Sequence, residues 1–368
     1  MDPIAHTLVG ATMAQTGLRK LTPLATATLI IGANLPDIDG VMSFFGSDDS
    51  LYYRRGITHG VLAQLLLPIL LTALVMAYDR LVRRRKDAAL HPVRPVQLLL
   101  LAYLGVLSHP LLDWLNTYGV RLLMPFSGRW FYGDTLFIVD AWMWLLMGAA
   151  AVFAYSQTRW SQMLWIGLGL ATSTLVTAAE FVPVPAKILW WLGVAVIVVV
   201  RKRGISMARN AVIAMGCLLI FGLYLAAMTA GNSVAQKRVK DWLSNQHGEV
   251  LTDVMTGPIP ANPFYREVVA VSATHYYGLR VPLLGAGDLE KIFEPVPKQK
   301  PDAIVARALA MPDIRGFVNW MRFPIFEVQT LEGGHRVVIR DLRYVRPGQE
   351  PGAGIGMAAT FVPYEISE

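Results

Sequence analysis

Six long apolar runs constrain this chain before any other feature does. GVLAQLLLPILLTALVMAY, VQLLLLAYLGVLSHPLLDWL, the stretch from Leu136 to Tyr155, MLWIGLGLATSTLVTAAEFV, AKILWWLGVAVIVVV and AVIAMGCLLIFGLYLAAM each approach or reach the roughly 20 residues a helix needs to cross a bilayer. Backbone groups in lipid must find partners within their own segment, so runs of this kind are expected to be helical. Across 368 residues the chain is 54% hydrophobic and 16% charged, with a mean hydropathy of +0.44, whereas a soluble domain carries about 25% charged residues. The expected class is a mainly α-helical polytopic membrane protein with about six full spans. MDPIAHTLVG at the start has neither a basic stretch nor a small-residue cleavage site, so a removable signal peptide is not expected there.

The formal net charge of +7 is distributed by topology, not as a nucleic-acid-binding patch. Arg80, Arg83, Arg84, Arg85, Lys86 and Arg94 follow the first long run, and Arg201, Lys202, Arg203 and Arg209 separate the fifth from the sixth. Basic loops of this kind stay cytoplasmic. With both inside, the 119–135 stretch faces outward and so does the tail after Met228. Two shorter apolar segments, about Ile4 to Thr16 and Pro23 to Ala33, precede the first long run and are joined by GLRKL. At 1.5 Å per residue each is only about 20 Å long, which suits a re-entrant or half-buried hairpin as well as a full span. The lone Cys217 lies inside a run and excludes an internal disulfide or a multi-thiolate metal site.

From Gly231 the composition changes, giving two expected domains: a membrane-embedded helical domain at 1–230 and a β-rich soluble α+β domain at 231–368 on the outer, periplasmic or extracellular, side. Alternating patterns occur in YREVVAVSAT, FPIFEVQTL, HRVVIRDLRYV and AATFVPYEI, and EGGHR reads as a hairpin turn because glycine supplies positive φ. DAIVARALAM and RGFVNWM are the helix candidates.

Ionisable groups in or near a membrane segment are costly and need a partner or a function. His6, Asp37 and Asp39 in NLPDIDG, His59 in RRGITHG, His109 with Asp113 in SHPLLDWLNTYG and, more weakly, Asp134 and Asp140 stand out. The topology derived from cations alone sends all of them toward the outer face. Helix positions 109 and 113 stack one above the other, so an imidazole and a carboxylate there can reach one ion; a hydrogen-bonded pair fastening two helices is the structural alternative. The two acids of PDID suit a helix cap as well as a metal, and His6 or His59 alone suits a satisfied buried histidine. The set of three histidines and at least two acids from separate segments is what points to a metal. Arg54 and Arg55 are either interfacial side chains or a clamp for a phosphate or carboxylate. The neighbouring tryptophans read as an interfacial aromatic belt.

Together DPIAHTLVGA, NLPDIDG, RRGITHG, SHPLLDWLNTYG and PFSGRWFYGDTLFIVDAW resemble the bacterial YdjM-like group of inner-membrane metal-dependent hydrolases, over roughly residues 1 to 230. The resemblance implies a helical membrane fold in the bacterial inner membrane, with a hydrolytic site assembled from His6, Asp37, His59, His109 and Asp113. The order of these ligands is also similar to the zinc-dependent phospholipase C and single-strand nuclease superfamily, which cleaves phosphate esters. A second His-x-x-x-Asp or His-x-x-x-Glu pair is missing here, so one or two ions, most simply zinc, are expected instead of three, with Asp134 and Asp140 as possible substitutes.

The resulting expectation is a hydrolase in which a zinc-activated water attacks an ester or phosphoester of an amphiphilic, lipid-like substrate in contact with the bilayer. Asp39 serves as general base or positions a ligand, and Arg54 or Arg55 holds the substrate anion. The alternatives are a transporter or metal-handling protein and a non-catalytic scaffold whose β domain binds a partner. Transporter sites lie near the midplane on broken helices, whereas these residues gather toward one face.

Overall fold

The computed structural model describes residues 1–204, 207–285, 287–331, 334–348, 360–361 and 366–367. The chain divides into two compact units: Met1–Ile38, Ile57–Ala230 and Pro258–Pro263 make the first, and Asp39–Gly56, Gly231–Gly257 and the chain from Phe264 onward make the second. In chain order the helices begin with α1 (Pro3–Gln15), α2 (Ala25–Asn34), α3 (Ser47–Tyr53) and α4 (Val61–Tyr78), which runs through a π turn into α5 (Arg84–Lys86). They continue as α6 (Pro95–Trp114), α7 (Ala141–Tyr155), α8 (Arg159–Ala178), α9 (Val184–Arg203) and α10 (Met207–His247).

Helix α1 starts where Asp2 accepts the Ala5 amide at 3.0 Å and Pro3 takes a first-turn position that has no use for an N–H. From Ala5 onward it is buried at every position but Thr7, and it is apolar nearly all round, as an enclosed helix must be. Ala5, Leu8, Val9 and Met13 are buried in one cluster with Leu29 of α2, Met143 and Met147 of α7 and Phe221 of α10. At Gly10 a Cβ would stand 2.8 Å from the Leu29 carbonyl oxygen, so only glycine lets α1 and α2 come this close. The short N-terminal segments thus form a hairpin in which α1 is mostly buried and α2 half-buried.

Among the described residues four helices are long and apolar enough to cross a membrane: 61–86, 95–114, 184–203 and 209–247. Six were expected. The two remaining runs are helical but differ from the other four. Asp140 caps α7 by accepting the Met143 amide at 2.8 Å, which starts the helix at Ala141 and leaves 15 residues. Helix α8 has 20 residues but carries Arg159, Gln162, Thr172, Ser173 and Thr177.

The sixth run was expected to end at Met228, yet α10 continues without a break to His247. Ala235, Val239 and Leu243, spaced by four, put an apolar stripe on its last turns; all three are fully buried against Val268, Ala270, Tyr277, Leu279 and Val281. These belong to the first sheet of the second unit, in the order β1 (Asp253–Ile259), β2 (Asn262–Val271), β3 (His275–Pro282) and β4 (Glu290–Pro297). The β2–β3 pair is antiparallel, with Val268 opposite Leu279. Among these strands only β2 follows an alternating run singled out in the sequence. Gly278 and the prolines of β4 obscured the others; Gly278 is required because a side chain there would overlap the Phe293 ring.

Helices α11 (Ala303–Leu309) and α12 (Arg315–Trp320) lie where DAIVARALAM and RGFVNWM were expected. A second sheet places β5 (Pro324–Leu331) antiparallel to β6 (Gly334–Asp341), which also pairs with β7 (Thr360–Phe361) and β8 (Ile366–Ser367). The expected EGGHR turn at 332–333, and most of AATFVPYEI, lie outside the described residues.

Within the second unit Asp48, on α3, supplies the carboxylate that caps α12: it accepts the Gly316 and Phe317 amides, each at 3.0 Å. Removing such an acceptor leaves two helix-terminal donors unmet. Asp48→Ala is expected to cost about 1–2 kcal/mol, read as a lower thermal midpoint of the full chain in detergent. In β5 the Arg340 guanidinium holds Glu327 below its ordinary carboxylate range. A depressed folded pKa contributes stability above the unfolded value of 4.5 that is lost as pH falls through the folded one. Glu327→Gln should therefore flatten the acid limb of the stability curve and leave the alkaline limb unchanged.

Candidate metal centre

The site is built where α2 and α6 cross. A Cβ on Gly105 would lie 3.0 Å from the Leu29 carbonyl oxygen and 3.3 Å from Gly32 Cα; one on Gly32 would lie 3.2 Å from the Val106 nitrogen. Two glycines facing each other let the backbones approach as small residues do in membrane bundles. One turn further along α6, His109 then reaches across: its Nδ1 is 2.7 Å from the Ala33 carbonyl oxygen. A carbonyl only accepts, so Nδ1 carries the proton. In the neutral ring the Nε2 lone pair therefore faces inward.

What Nε2 faces is a set of acids and imidazoles, buried except for the partly buried Asp37. It lies 3.5 Å from Asp113 Oδ2, 3.6 Å from Asp37 Oδ1 and 3.1 Å from His59 Nε2. His59 Nε2 is in turn 3.3 Å from Asp113 Oδ2 and 3.9 Å from Asp37 Oδ1. One ligand atom from each of Asp37, His59, His109 and Asp113 lies within 4.8 Å of all the others. Tetrahedral sites with bonds of about 2.0–2.1 Å put neighbouring ligand atoms about 3.3 Å apart, so these separations suit a shared ion. Lone pairs and carboxylate oxygens pointed at one another in a buried space repel; a cation among them removes the conflict.

His6 sits beside this group. It is fully buried, its ring stacks on His109 with centroids 3.7 Å apart, and its Nε2 is 3.3 Å from Asp113 Oδ1. Among the described residues neither ring nitrogen of His6 has a well-aligned hydrogen-bond partner, an unusual state for a buried imidazole and one that coordination would relieve. The Met1 amino group also contacts Asp113. His59 is fixed from behind by the Thr58 hydroxyl, 3.0 Å from Nδ1, and from ahead by Gly60, where a Cβ would be 2.2 Å from the Met124 carbonyl oxygen.

Asp39, Arg54 and Arg55 belong to the second unit, where Asp39 Oδ2 accepts the Arg55 amide at 2.8 Å and Oδ1 lies 3.8 Å from Arg54 Nη1. Asp140 does not substitute for a ligand, since its oxygens accept the Met143 amide and, at 3.0 Å, the Tyr224 hydroxyl. Asp134 is buried but outside the group of four. The Ala33 carbonyl, the Thr58 hydroxyl and the glycines at 10, 32, 60 and 105 were not singled out from the sequence. Their only signal there is glycine inside apolar helical runs or next to a histidine.

All five of these imidazole and carboxylate residues fall within residues 1–184, which match the sequence model of the YdjM inner membrane protein family. The chain belongs to the YdjM family. The uncharacterized protein YfhP of Bacillus subtilis (strain 168) is 22% identical over 369 residues, an alignment that takes in 96% of this chain and 90% of YfhP. That similarity therefore extends beyond the YdjM family region into the β-rich part. No solved structure matches the chain. It is a membrane protein of an inner-membrane family whose His/Asp cluster could hold a metal ion.

The crossing at Gly105 can be tested apart from any ligand side chain. Gly105→Leu must push α6 from α2, at a cost of about 1–3 kcal/mol for overpacking. It should also lower metal retained per chain, measured by elemental analysis of folded protein, because His109 loses its hold on Ala33.

Proposed function

We propose that the chain is a membrane-embedded metal-dependent hydrolase holding one or two Zn²⁺ ions through Asp37, His59, His109 and Asp113, with His6 as the fifth ligand. The observation that carries this is the convergence of four ligand atoms, three of them from buried residues, within 4.8 Å beside a His6 ring that has no well-aligned hydrogen bond among the described residues. A divalent ion there supplies Lewis acidity and brings the pKa of water toward neutrality, so that hydrolysis proceeds at physiological pH.

The protein's own groups divide the remaining work. His109, with its proton held on Ala33, keeps Nε2 available and aimed. The Asp113 carboxylate lies 3.3 Å from His6 Nε2, 3.3 Å from His59 Nε2 and 3.5 Å from His109 Nε2, which gathers the three rings about one point. Asp39 is engaged with Arg54 and the Arg55 amide, which suits positioning of the arginines better than proton transfer. Within the second unit the Arg54 side chain is 27% exposed, and the buried Arg55 donates its amide to Asp39. The reaction forms a bond from water oxygen to phosphorus or carbonyl carbon, breaks the bond from that atom to the ester oxygen and passes a proton of the water to that oxygen, so that the products are an alcohol and a phosphate or carboxylate.

The substrate class is an ester or phosphoester of an amphiphile, reached from the bilayer. The basic loops at 80–94 and 201–209 support a site and a 231–368 domain on the periplasmic side. Full-length protein purified without chelator is expected to retain zinc and to hydrolyse fluorogenic phospholipid esters in vesicles. His59→Ala and His109→Ala should lose the metal and, with it, the hydrolysis. Zinc-free wild-type protein with undiminished turnover, or metal retained with no hydrolysis of any lipid ester or phosphoester, overturns the proposal.

A further inference from the structure

A cavity of about 530 Å³ in the first unit contains no residue of the His/Asp cluster. It lies along α1, α7, α8 and α9, running beside α7 from Trp144 to Ser156 and beside α9 from Trp190 to Lys202. Twelve residues of helix advance about 18 Å, close to the depth of one leaflet of a hydrocarbon core about 30 Å thick. Leu8, Val152, Leu170 and Val194 give the wall its character. The indole N–H groups of Trp144, Trp190 and Trp191 are satisfied by Asp2, Ser173 and Thr177, so their rings contribute only apolar surface.

Two features show that the cavity is shaped, and by what. Gly148 on α7 and Gly169 on α8 both line it, and a Cβ built on either meets nothing within 4 Å, so these glycines leave space instead of permitting helix contact. The apolar length also ends in cations. Arg201 is oriented by Ser156, donating to its hydroxyl and its carbonyl oxygen, both at 2.6 Å, and Lys202 lines the same end. An apolar slot of leaflet depth closed by two positive side chains complements one molecule class: a membrane lipid with an anionic headgroup.

We infer that this cavity is a binding site for an anionic glycerophospholipid, one acyl chain lying between α7, α8 and α9 and the phosphate held at Arg201 and Lys202. The basic end is on the side where anionic lipid is attracted by the same cations that set topology. The four tryptophans along the slot, Trp144, Trp165, Trp190 and Trp191, report occupancy directly.

The test uses full-length protein in phosphatidylcholine vesicles containing rising fractions of chain-brominated phosphatidylglycerol or, in parallel, chain-brominated phosphatidylcholine. Tryptophan quenching by the anionic lipid should saturate at a lower mole fraction. That preference should vanish in Gly148→Phe and in Gly169→Phe, which fill open space, and should weaken in Lys202→Glu. Equal quenching by the two lipids in the wild type overturns the inference without recourse to any variant. A preference that persists in both filled variants, with unchanged circular dichroism, overturns it too, because the lipid is then held elsewhere.

Discussion

A carboxylate 1% exposed inside an apolar helix bundle is the condition on which this structure turns. Asp113 cannot be desolvated without positive charge or several donors around it. The fold sets the Met1 amino group against that carboxylate and brings the rings of His6 from α1, His59 from the segment before α4 and His109 from one turn earlier on α6 around it, a set of ligands that a shared cation would hold together. Segments more than fifty residues apart are thereby tied to one point. Breaking the set by removing one member leaves a buried charge uncompensated, which costs several kcal/mol, more than most apolar substitutions in the same bundle.

Helix packing serves that requirement. Glycines at 10, 32, 60 and 105 all stand where a Cβ would meet backbone within 3.4 Å. They shorten the distances over which imidazoles must reach and so replace side-chain length with proximity. The glycines at 148 and 169 do the reverse, since they open space. The same residue type thus makes contact on one side of α1 and a slot on the other.

Much of this was legible in the chain itself. The apolar runs announced helices, and the strand patterns of YREVVAVSAT, FPIFEVQTL and HRVVIRD correspond to β2, β5 and β6. His109 and Asp113 declared themselves by their spacing of four within a greasy segment. Span number was less legible, because hydropathy does not reveal that Asp140 truncates α7 or that α10 carries an amphipathic stripe past Met228. The surroundings of Asp37 and of Asp39 were hidden as well. PDID places both on one 3-10 segment, Leu35–Phe44, but only the fold brings Asp37 within 3.6 Å of His109 and sets Asp39 against the Arg55 amide. Backbone partners such as Ala33 have no side-chain signature, so a sequence cannot display them.

That last contact has an evolutionary side. The acceptor holding the His109 proton is main-chain oxygen, so no replacement of Ala33 deletes it. Selection on the imidazole's tautomer must act instead through whatever governs helix separation, which places the burden on Gly32 and Gly105, two positions that carry no chemistry of their own.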